Sequence, residues 1–85
     1  MKKITFYTDP GHGWAAVPMT ELSALGIADK ISRYSYRKGE TAFLEEDCDF
    51  SVYMEAIKGQ PHEIKEHHTN NDSPIRNYKP YEATA

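Results

Sequence analysis

Every periodic stretch of this sequence is cut short by glycine or proline, so the chain can only be assembled from brief elements. KKITFYT alternates Ile4 and Phe6 with Thr5 and Tyr7, the β-branched and aromatic pattern of a strand, and DPGHG ends it at once. WAAV resumes as the return strand of a hairpin. Pro18 suits the first position of a helix, where its missing N–H has no partner. Met19, Leu22 and Leu25 follow at helical spacing, and Gly26 is placed to end this helix in the left-handed conformation.

The second half repeats the pattern. ISRYSYRKGETAFLEE reads as two strands around Lys38 and Gly39, with Phe43 and Leu44 anchoring the second. Phe50, Tyr53, Met54 and Ile57 fall at i, i+3, i+4 and i+7, which predicts an amphipathic helix over 48–58, capped by Asp47 or Asp49 and stopped by Gly59. PHEIKEHH carries one apolar residue, Ile64, among charges, the composition of an edge strand. From Thr69 onward the chain has turn chemistry and no period, and is ordered only where Ile75, Tyr78 or Tyr81 docks. The expectation is a single α+β domain over 1–68, of order β-β-α-β-β-α-β with a mostly antiparallel sheet, followed by a loop and C-terminal tail over 69–85.

With 85 residues, a single core gives only marginal stability, so a homo-oligomer or a bound partner is expected. A net charge of -3 argues against a protein that coats nucleic acid. That value hides a segregation: Lys30, Arg33, Arg37 and Lys38 lie on one arm, and Glu45, Glu46, Asp47 and Asp49 follow it. Cys48 is alone, so no internal disulfide forms and no structural zinc spacing exists, which fits a reducing, cytoplasmic setting. MKKITFYTD lacks the apolar run of a signal peptide, and nothing approaches the roughly 20 apolar residues that span a bilayer. A soluble protein without membrane contact is expected.

Gly11 and Gly13 permit positive φ, and successive amides in such a loop can converge on an anion, with His12 at the tip. The same residues also make a plain hairpin turn with Trp14 packed in the core. Of the four histidines, His62 and His68 share a strand face but stand about 20 Å apart, so a metal site would need His12, His67 and a carboxylate such as Asp47. The carboxylates of EEDCD can hold Mg²⁺ or Ca²⁺, but the alternating ligands and central glycine of a calcium loop are absent; helix capping explains most of the cluster, and its charges raise rather than lower the pKa of Cys48. RYSYRK interleaves Tyr34 and Tyr36 with Arg33, Arg37 and Lys38, a pattern that suits stacking on bases and contact with phosphates, or a solvated arm over a small core. In NNDSPIR, Ser73 and Arg76 can grip a phosphate or carboxylate, or form a surface turn. No GxSxG elbow or phosphate-binding GxxxxGK[ST] loop occurs, so neither an enzyme nor a cofactor is expected.

Residues 4–45 resemble the swapped-hairpin fold of the AbrB-type transition-state regulators, with a strand, an Asp- and Gly-containing turn, VP, a two-turn helix and LGIADK in order. That resemblance implies an intertwined dimer binding DNA, here through Arg33, Arg37 and Lys38, although the helix reads TELSA without arginine. With DPGHGW, LGIA, LEEDCD and NDSPIR in order, the whole chain also resembles small proteins of bacteriophage and prophage genomes. It implies an accessory protein that binds a host or defence component. The expected function is non-catalytic binding of such a protein, or sequestration of a small anionic, nucleotide-like ligand, through Gly11, His12, Gly13, Tyr34, Tyr36, Ser73 and Arg76. A DNA-binding regulator and a metal-dependent hydrolase are the alternatives.

Overall fold

The apolar alternation of the strands divides one mixed sheet into two unlike faces. A computed structural model describes residues 1–84, in which six strands run in the order β5-β1-β2-β4-β3-β6. These are β1 (Lys2–Thr8), β2 (Gly13–Pro18), β3 (Tyr36–Lys38), β4 (Thr41–Glu45), β5 (His62–His68) and β6 (Lys79–Pro80). The β1–β5 pair is parallel and the other pairs are antiparallel. The expected α+β class with a mostly antiparallel sheet is what the chain adopts.

On one face Ile4, Ala15, Val17, Ala42 and Leu44 meet Met19 and Leu22 of α1 (Met19–Ala24) and Tyr53 of α2 (Phe50–Ala56), and all are buried. The registers Ala15↔Leu44 and Val17↔Ala42 explain the pattern, because period-2 alternation puts every second side chain of both strands on this face. The opposite face is aromatic. Tyr7 packs on Phe43 and His67, Phe43 on Tyr78, and Trp14 on Tyr36 edge to face.

Three expectations are corrected. The segment 69–85 is no simple loop and tail: Pro74–Asn77 forms a 3-10 turn, β6 pairs with β3, and Ile75 and Tyr81 are buried. Two docked anchors supply what periodicity does not, and Tyr81 donates its hydroxyl to the Ala28 carbonyl inside the core. Ala85 lies outside the described residues. The first arm of the central hairpin holds only β3, because Ser32 and Ser35 turn back to the Asp49 carboxylate, which accepts from Ser32 N at 3.0 Å and from both serine hydroxyls. Asp49 therefore does not cap α2 with its side chain, although it stands at the N-cap position, and the helix runs 50–56 rather than 48–58. No helix among the described residues is long and apolar enough to cross a membrane.

Candidate functional site

The loop between β1 and β2 does gather amides on an anion, and the anion is the chain's own Asp9. Its Oδ1 accepts from Gly11 N at 3.0 Å, His12 N at 2.9 Å and Arg76 Nη2 at 2.9 Å. Its Oδ2 accepts from Ser73 N at 2.9 Å and Arg76 Nε at 2.6 Å. The Asp9 side chain is fully shielded from solvent, and a planar guanidinium with three backbone donors satisfies it from both sides. The Arg76 guanidinium, with those amides, holds the Asp9 carboxyl far below the usual carboxylate range despite the cost of burial. Asp9 in turn raises Arg76 above its ordinary value.

Gly11 and Gly13 thus serve close approach, not positive φ, which among the described residues is adopted by Gly26, Gly39 and Gly59. A Cβ on Gly11 would stand 2.8 Å from Arg76 Nη2, and one on Gly13 would stand 2.6 Å from the Phe6 ring. The Ser73 hydroxyl caps the 3-10 turn by accepting from Ile75 N at 3.2 Å. The expected anion-binding donors Gly11, Ser73 and Arg76 do come together, as a latch between the first hairpin and the C-terminal segment.

The other expected residues meet above this latch. His12, Tyr34 and Tyr36 line an open pocket of about 310 Å³ whose wall includes Trp14 and Glu45, with Arg76, Asp47 and Cys48 at its border. Trp14 and Glu45 are cross-strand partners on the aromatic face of the sheet. Arg76 lies 5.4 Å from the centre of the Trp14 ring, so one guanidinium grips Asp9 and stacks on the pocket wall. Tyr34 is 74% exposed and leaves its ring free for a ligand.

Two atoms of this wall have no hydrogen-bond partner although they are buried: Trp14 Nε1 and Glu45 Oε1. Glu45 is 7% exposed and Trp14 1%. Glu45 Oε2 accepts from Asp47 N at 2.9 Å, whereas Oε1 lies 3.4 Å from His12 Nδ1 without hydrogen-bond alignment. Buried polar groups are nearly always satisfied, so these two atoms single out neighbouring residues whose own bonding is incomplete. The sequence gives no warning of Glu45, because burial of an acidic residue depends on the register that places it opposite Trp14.

The triad of His12, His67 and Asp47 that the hydrolase alternative needs does not assemble, since His67 stacks on Tyr7 at 5.5 Å and has no part in the acidic cluster. His12 instead meets Glu45, Glu46 and Asp47, with one ligand atom from each lying within 4.8 Å of the others. The Cys48 thiol is pushed up by its contact with Glu45, by burial and by the surrounding carboxylates, so it is no activated nucleophile. The basic trio is engaged within the chain. Arg33 pairs with Glu82 at 2.7 Å, Arg37 donates to the carbonyls of Gly39, Glu82 and Ala83, and Lys38 sits 4.9 Å over the Tyr78 ring. Compared with known proteins, the chain matches no family model, no curated protein and no solved structure.

Proposed function

We propose that the protein is a non-catalytic binding protein that takes a nucleotide-like ligand in the pocket between His12, Tyr34 and Tyr36. The observation that carries this reading is the convergence of His12, Trp14, Tyr34 and Tyr36 on one open pocket, with Glu45 buried beside them. A planar heterocycle offers ring nitrogens and carbonyl oxygens as hydrogen-bond acceptors, and it stacks on tyrosine faces. A volume of about 310 Å³ suits a base with its sugar at the mouth.

Trp14 is the only tryptophan and therefore reports the site directly. Titration of the protein with a panel of nucleoside monophosphates is expected to give a saturable change in its fluorescence, and Glu45→Gln is expected to weaken the best binder about tenfold, roughly 1.4 kcal/mol. A flat response to the whole panel from folded protein, both with and without a millimolar divalent cation, overturns the reading.

A second reading concerns a partner protein, such as a host or defence component. β5 is one of the two edge strands of the sheet, all seven of its residues are exposed, and Ile64 is 47% exposed, so an extended segment of a partner can add to it. Amide hydrogen exchange should then slow over 62–68 on addition of the partner. The duplex-DNA alternative has the least support, because Arg33, Arg37 and Lys38 are each held by groups of the chain itself.

A further inference from the structure

The pocket has an electrostatic problem that its own side chains leave unsolved. Glu45, Glu46 and Asp47 converge beside His12, and the nearest arginine, Arg76, directs its Nε and Nη2 to Asp9. Glu45 is the acute case: it is buried, its Oε2 is held by Asp47 N, and its Oε1 accepts no hydrogen bond and faces the His12 imidazole at 3.4 Å. A buried carboxylate oxygen without a donor is costly and is normally paired or bound to a metal. An anionic ligand gains nothing here as matters stand, since the amides of Gly11 and His12 are already taken by Asp9.

We propose that His12, Glu45 and Asp47, with Glu46 beside them, form a divalent-cation site at the wall of this pocket, and that the bound cation supplies the positive charge an anionic ligand needs. Ligand atoms around one ion at bond lengths of about 2.1 Å lie about 3–4.3 Å from one another, so a set already within 4.8 Å needs only side-chain rotation to close. The scaffold is firm. The hairpin loop that carries His12 is fixed by Asp9, and it is tied to the acidic turn by the bond from Glu46 N to Gly13 O at 3.0 Å. The turn itself is closed by Cys48 N and Asp49 N, which both donate to the Glu45 carbonyl. One imidazole with carboxylates is a donor set for Mn²⁺, Fe²⁺ or Zn²⁺ rather than for Ca²⁺, which takes oxygen alone. Three or four protein ligands leave a divalent cation of this kind with coordination positions that phosphate oxygens can take. The role of the cation rests on the pocket being the ligand site proposed above, while the binding of the ion itself is measured without any ligand.

The test uses chelator-stripped full-length protein and Mn²⁺ or Zn²⁺ alone, followed by calorimetry and, for Mn²⁺, by loss of the free-ion paramagnetic resonance signal. One ion per chain is expected. Glu45→Gln and His12→Ala should each weaken it tenfold or more, whereas Glu82→Gln, outside the His12 cluster, should leave it unchanged. His12 is half exposed, so His12→Ala retains the fold even if Glu45→Gln disturbs it, and circular dichroism checks both. No binding at millimolar metal, or equal affinity in the His12 and Glu45 variants, overturns the proposal. Nucleotide titrations with EDTA and with Mn²⁺ separate the two readings. Metal binding without nucleotide binding supports the cation site and overturns the ligand, and nucleotide binding that is equal in EDTA overturns the cation's role and keeps the ligand.

Discussion

Asp9 engages five donors with two oxygens, and its worth depends on its charge. Its carboxyl is depressed in the folded state, so the stabilisation is complete above the ordinary carboxylate value of about 4 and is lost as the pH falls through the lower folded value. Arg76→Ala is expected to lower the melting temperature by several degrees at pH 7, and the gap from the parent protein should narrow toward pH 2; thermal unfolding across that range checks both. Gly13→Ala drives a methyl group into the Phe6 ring and should cost about 1–3 kcal/mol in urea unfolding. DPGHG is legible in the sequence as a loop that collects amides around an anion. Which anion is not, because the partners of Asp9 at Ser73 and Arg76 lie 64 and 67 residues away and no local pattern announces them.

Among the elements, those with a period are readable and those with an anchor are not. β1, β2, α1 and β5 carry strand alternation, helical spacing or glycine and proline stops, and they appear where these signals fall. The 3-10 turn and β6 depend on two side chains, Ile75 and Tyr81, and single apolar residues have no period to detect. Tyr81→Ala should therefore cost about 3 kcal/mol, far more than its place outside any periodic segment implies, while Tyr81→Phe removes only the bond to Ala28 O and should cost about 1 kcal/mol. Chemical denaturation of both variants compares ring with hydroxyl. The serine contacts of Asp49 teach the same lesson from the polar side, because a carboxylate with several hydroxyls in reach leaves the helix end that its sequence position suggests.

At the scale of the whole molecule, the latch binds the C-terminal segment to the first hairpin and β6 pairs it with β3, so the chain should unfold as one unit. Urea curves followed by Trp14 fluorescence and by far-ultraviolet circular dichroism are expected to coincide, and an early loss seen by one probe alone contradicts this. The α+β class and the mostly antiparallel sheet are legible from element types, but the strand order is not, since nothing local in HEIKEHH says that it pairs in parallel with KKITFYT. That pairing also acts in time. Every β1–β5 partner is sixty residues along the chain, so during synthesis β1 waits with one edge bare while most of the protein is made. Long-range pairings form slowly, and an uncovered strand rich in Ile, Phe and Tyr invites association with other chains. Folding yield, more than folded stability, is therefore the property most sensitive to temperature and expression rate.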